Sequence, residues 1–183
     1  MATQSLTYLF GMVKVNNMEY KHSWLPELII FNPVKSNLDE YVEGIYQIFI
    51  EEFINNGLYY NGERLNLKKF PMREGKEATF YHMISEGEDE NNRSIDLERC
   101  ARIKWPRAIL ASNHKDLKIW PNKRKNKKNI LVWYEEQKYL IVIRVNANKK
   151  LFWTAYPVNR KHTEDKLRKE FEEYQNSIQK SLQ

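Results

Sequence analysis

A single cysteine in 183 residues leaves no partner for an internal disulfide and no thiolate cluster for a structural zinc site. The six glycines never form a GxxxxGK or GxGxxG pattern, so the common phosphate-cradling loops are excluded. Four histidines, His22, His82, His114 and His162, lie far apart, and none belongs to an HExxH helix. No ligand spacing points to a metal, and no motif points to a cofactor. No apolar run approaches the roughly 20 residues that span a bilayer. The opening MATQSLTYLF has neither a basic n-region nor a small-residue cleavage site, so no secretory leader is expected. With a hydrophobic fraction of 42% and a mean hydropathy of −0.74, the chain is expected to build a core and to be cytoplasmic.

What the sequence does have is charge in the wrong proportion for a neutral surface. Residues 1–98 hold 9 Lys/Arg against 16 Asp/Glu, a net of −7, whereas residues 99–161 hold 17 against 3, a net of +14. A basic excess confined to one stretch suits a polyanion, although a solvated surface balanced by the acidic half would have the same composition. Within it, NKRKNKK (122–128) carries five cations in seven residues, Lys123, Arg124, Lys125, Lys127 and Lys128. It reads either as a phosphate-contacting hairpin tip or as a solvated one. Trp120, Trp133 and Tyr134 beside it could stack on unpaired bases or fill the core.

The pattern predicts an α+β chain. A strand-like LTYLFGMVKV (6–15) opens it, and a helix is expected over 38–56, capped by Ser36 or Asn37 and stopped by Gly57. Asn61–Gly62 reads as a hairpin turn. ATFYHMIS (78–85) fits helix or strand, and EGEDENN (86–92) is an acidic loop. Helices are expected over 95–103 and 105–112, the second with Pro106 in its first turn. From Leu117 the apolar and aromatic runs DLKIW, NILVWYEE, KYLIVIRVNA and KKLFWTAYPV predict an antiparallel meander. A final helix over 163–181, with Leu167, Phe171, Tyr174 and Ile178 on one stripe, should pack on that sheet.

Three features carry possible chemistry. His82 is set between a glycine turn and a polar loop, either as a satisfied structural residue or as a proton carrier near neutral pH. Arg99, Arg102, Lys104 and Arg107 follow in LERCARIKWPRAIL. On a helix, Arg99 and Arg102 share a face and could grip one phosphate path, or simply be solvated. In WTAYP, strand alternation puts Thr154 and Tyr156 on one face, with Trp153 and Ala155 on the other. Cys100 reads as a small buried apolar residue.

Taken in order, GKEATFYHMIS, DLERCARIKWPRAIL, YLIVIRV and LFWTAYPV resemble the phage-associated nucleases of the barnase–EndoU–colicin–RelE superfamily. The resemblance covers about residues 58–175. It implies a barnase/RelE-like nuclease domain over 58–183, with residues 1–57 as an N-terminal accessory α/β element. It further implies a metal-independent endoribonuclease, in which a ribose 2′-OH attacks the adjacent phosphorus and leaves a cyclic phosphate. His82, Arg102, Thr154 and Tyr156 match the catalytic positions, and Arg99 is a second arginine for RNA. Such proteins act as toxins or in phage–host conflict and antiviral defence, often with a neutralising antitoxin or immunity protein. The chain departs from the pattern in the acidic loop after the histidine, which would repel RNA unless it folds away, and in Pro106. The rival reading is a non-catalytic nucleic-acid-binding module recruited through its N-terminal lobe.

Overall fold

A computed structural model describes residues 24–87, 89, 92–124, 126–147 and 149–182. The strand expected over 6–15 lies outside these, as do His22 and Lys125. The architecture is α+β, with a four-stranded antiparallel sheet and five α-helices among the described residues.

Helix α1 (Leu38–Phe49) begins where local chemistry dictates. The Asn37 side chain accepts from the Glu40 amide at 2.9 Å, and the Glu40 carboxylate accepts from the Asn37 amide at 3.1 Å. Replacing Asn37 by Ala should cost about 1 kcal/mol, read as a lower denaturant midpoint with an unchanged slope. The expected single helix over 38–56 is instead two windings, because Ile50–Asn55 is π-helical. The buried row Tyr41, Ile45, Phe49, Phe53 explains the change. Each i+4 step drifts about 40° around an α-helix. The wider i→i+5 winding reduces that drift and keeps the Phe53 ring stacked on Phe49, 4.8 Å between centroids. Gly57, at φ +72°, ends the segment, and a Cβ there would lie 2.8 Å from Arg64 Nε. Arg64 in turn donates to the Ile54 carbonyl at 2.8 Å.

Strands β1 (Tyr59–Tyr60) and β2 (Glu63–Arg64) close on Asn61 and Gly62, both with positive φ. The ambiguous ATFYHMIS segment is helix α2 (Ala78–Ile84). Strands β3 (Ser85–Glu86) and β4 (Ser94–Ile95) form a small antiparallel ladder beside it. Helix α3 (Leu97–Ala101) is capped by Asp96, which accepts from the Glu98 and Arg99 amides, and is shorter than the 95–103 expected. Helix α4 (Trp105–Ala111) carries Pro106 in its first turn. The meander is β5 (Leu117–Arg124), β6 (Lys127–Tyr134), β7 (Tyr139–Asn146) and β8 (Lys149–Pro157), hydrogen-bonded in that order.

Alternation along these strands builds a core on each face. One face carries Val132, Tyr139, Ile141, Ile143 and Phe152, covered by α1 to α4. Leu25, Tyr41, Ile45, Phe49 and Phe53, from the described part of 1–57, belong to this same cluster. The other face carries Trp120, Leu131, Trp133 and Leu140, covered by helix α5 (Lys161–Ser181) through Leu167, Phe171 and Tyr174. Ile178 lies past this contact and is 38% exposed. Trp120, Trp133 and Tyr134 are all buried, so none offers a free ring to a base. No helix among the described residues is long and apolar enough to cross a membrane.

Candidate functional site

Strand β8 is an edge of the sheet, and its two halves meet different neighbours. Near Leu151, the Asn66 segment runs along it: the Asn66 amide donates to the Lys150 carbonyl, and the Phe152 amide donates to the Asn66 carbonyl, both at 2.9 Å. Beyond Phe152 the ladder slips. Val142 pairs with Thr154 and Ile143 with Phe152, which leaves Trp153 as the extra residue of a bulge. The bulge lets both Phe152 and Ala155 enter the core, and it frees Trp153 from the strict alternation expected of it. Thr154 and Tyr156 still share the face that α5 partly covers.

The C-terminal turn of α2 is tied to this strand. The Thr154 hydroxyl donates to the His82 carbonyl at 2.8 Å, and the His82 ring meets the Trp153 ring edge-on, 4.8 Å between centroids. Between these elements lies a cleft of about 270 Å³, floored by Trp153, Thr154 and Tyr156 and walled by His82, Glu86 and Arg99. His82 is only 6% exposed and lines this cleft. The acidic loop, by sequence only a source of repulsion for RNA, contributes Glu86 to the wall.

Arg99 is held on three sides. Its Nε donates to Asp96 Oδ2 at 3.1 Å, its Nη1 donates to the Ser85 carbonyl at 3.0 Å, and its guanidinium lies 5.0 Å over the Tyr156 ring. Arg93, also in the cleft wall, spends its donors on the Ser85 hydroxyl and the Ser85 and Gly87 carbonyls, so it fixes the loop. Burial raises the Tyr156 hydroxyl above its ordinary value despite the nearby Arg124 and Arg99 charges. It is therefore a neutral hydrogen-bond donor at pH 7. Burial likewise pushes the Cys100 thiol up to about 12, which fits a packed thiol with no nucleophilic role.

The remaining sequence candidates are dispersed. Arg102 is the C-cap of α3, outside the helical φ/ψ region, and its side chain turns back: Nη1 donates to the Glu98 carbonyl at 2.9 Å, and the guanidinium lies 5.2 Å over Trp105. It does not line the cleft, and Arg99 does. Arg107 pairs with Glu52 at 3.1 Å beside a separate cavity of about 570 Å³. Lys104 is the N-cap of α4, away from the cleft lining. Lys123, Arg124, Lys127 and Lys128 are exposed on the β5–β6 hairpin, and Arg124 reaches Glu170 of α5 at 3.4 Å. Sequence reasoning misses Trp153, Glu86 and Arg93. No local signal marks the bulge that turns Trp153 inward, and Arg93 becomes visible only through its carbonyl partners. No protein-family model, curated protein or solved structure matches the chain.

Proposed function

We propose that the chain is a metal-independent endoribonuclease of the barnase–EndoU–colicin–RelE kind, cutting RNA by attack of a ribose 2′-OH on the adjacent phosphorus. The observation that carries this reading is the meeting of His82, Arg99 and Tyr156 in one cleft, from three elements separated by up to 74 positions in the chain. Transesterification needs a group to take the 2′-OH proton and one to protonate the departing 5′-oxygen. The cleft offers an imidazole, His82, and a carboxylate, Glu86. Charge accumulates on the non-bridging phosphoryl oxygens. Arg99, held by Asp96 and Ser85 before any substrate arrives, is preorganised to offset it, and the neutral Tyr156 hydroxyl can donate to the same oxygens. Thr154, bonded to the His82 carbonyl, is better described as positioning the histidine than as holding phosphate. Arg99 takes the role that the resemblance gave to Arg102.

The basic hairpin would extend the RNA path. Replacing Lys123, Arg124, Lys125, Lys127 and Lys128 with Gln should weaken RNA binding for every sequence. It should also flatten the plot of log affinity against log salt by roughly 0.7 for each single-strand phosphate that is no longer neutralised. An unchanged slope would leave the hairpin as solvated surface. The enzyme itself is tested by incubating the protein with labelled total RNA in EDTA. Cleavage is expected, whereas tight, salt-sensitive binding to intact RNA would favour the non-catalytic module.

A further inference from the structure

Arg144 of β7 differs from the other arginines near the cleft. Arg93, Arg99, Arg102 and Arg124 each donate to a carbonyl, a hydroxyl or a carboxylate, although the Arg102 Nε is itself buried without a partner among the described residues. Arg144 is half-buried, its Nε is buried without a hydrogen-bond partner among the described residues, and no charged neighbour perturbs it. Burial alone pulls its pKa below the ordinary arginine value. Its close contact is with an aromatic face, the guanidinium carbon lying 3.5 Å from the centroid of the Trp153 ring. A desolvated cation without a counter-charge is a cost that native proteins rarely leave uncompensated.

The neighbours of Arg144 are unsatisfied in the complementary sense. Register places Asn122 opposite Asn129, and Asn129 opposite Arg144, on the face that carries α5. Asn129 is 6% exposed, and its Oδ1 has no partner among the described residues. The Asn122 Oδ1 is also buried and unpartnered, while its Nδ2 is held by Glu170 at 2.7 Å. At this one register level, among the described residues, the three strands carry one orphaned donor and two orphaned acceptors; the Trp120 and Trp133 Nε1 groups, further along the same face, are also buried without partners. On β8 the residue opposite Arg144 is Leu151, and Trp153, two positions further on in the bulge, lies under the guanidinium and meets the His82 ring, 4.8 Å between centroids. At ordinary strand spacing the row from Asn122 to Arg144 is about 10 Å long, and Trp153 links its Arg144 end to the His82 cleft. Of the polar groups in this row, the half-buried guanidinium is the one an incoming strand can reach, and a backbone phosphate supplies the acceptor it lacks.

We propose that Arg144, stacked on Trp153 and flanked by Asn129, is a second ribonucleotide subsite, binding the RNA strand as it leaves the His82 cleft. The guanidinium takes a backbone phosphate, while the buried Asn129 stays part of the floor on which it rests. This rests on the RNA reading of the cleft, from which its test is separable.

The test is binding of a fluorescein-labelled 12-nucleotide single-stranded RNA in the His82→Ala background, with Arg144→Met as the second change. Affinity is expected to fall about tenfold, with the salt slope lower by roughly 0.7, the value for one phosphate. The melting temperature without RNA is expected to change little, because methionine keeps the apolar stack on Trp153 while a half-buried charge with no counter-ion is removed. A purely structural arginine would behave oppositely, with a lower melting temperature and an unchanged slope, and that result overturns the subsite. Should Arg144→Met melt lower and bind worse, Arg144→Lys decides: a restored slope supports phosphate contact, and an unrestored slope overturns it. Unchanged affinity in Arg144→Met beside a parent protein that binds and wild type that cuts RNA sinks the subsite alone. Wild type that neither binds nor cuts RNA sinks both readings.

Discussion

His82→Ala should slow RNA cleavage by about 10²- to 10⁴-fold, the range expected for losing a positioned proton-transfer group, while RNA affinity stays close to wild type. The side chain is buried against Trp153 and lines the cleft, whereas the backbone tie to α2 uses the His82 carbonyl, which alanine retains. Folding should therefore survive the substitution, and a thermal melt checks that. If the folded variant cleaves RNA at the wild-type rate, His82 is a structural residue and the acid–base assignment fails.

Arg99→Ala should cost about 10²- to 10³-fold in cleavage, as for removing one preorganised donor to a developing oxyanion. Its guanidinium covers the Tyr156 ring, so the two groups should behave as a unit. Tyr156→Phe alone should slow cleavage, and the double variant should fall well short of the product of the two single effects. Arg99 also bridges Asp96 and the Ser85 carbonyl, so Arg99→Lys is the necessary companion. It keeps the charge and loses the planar fork. Arg102→Ala, three residues on, should have a far smaller effect on cleavage, because its side chain turns toward Glu98 and Trp105. Equal effects at Arg99 and Arg102 would contradict the geometry of the cleft.

The contrast between these arginines shows where sequence reasoning stops. Residues three apart share a face only while the helix continues, and α3 ends at Ala101, so Arg102 sits in a cap whose backbone has left the helical region. The spacing is legible in the sequence and the helix end is not. The same limit applies to ATFYHMIS. Ala78, Thr79, Phe80, His82, Met83 and Ile84 are all buried, and a segment buried all round shows neither a period of 3.6 nor of 2. The Asn37 cap, the Asn61–Gly62 turn and the four-stranded meander are readable because each depends on neighbours within a few residues or on plain alternation. The β8 bulge depends instead on β7 and on the Asn66 segment, so nothing in LFWTAYPV announces that Trp153 will join Thr154 and Tyr156. Likewise Arg144 is an ordinary strand residue in YLIVIRV until the fold buries its Nε with no acceptor among the described residues.

The central claim is that the attacking group belongs to the substrate. It is tested most directly with an oligodeoxynucleotide containing a single internal ribonucleotide, incubated with the wild-type protein in EDTA and analysed by product mass. One cut is expected, on the 3′ side of the lone ribose, with the mass of a 2′,3′-cyclic phosphate or its hydrolysis product, and none in the all-deoxy strand. Equal cleavage of the all-deoxy strand, or chimaera left intact by protein that degrades ordinary RNA, would contradict 2′-OH attack in the His82 cleft.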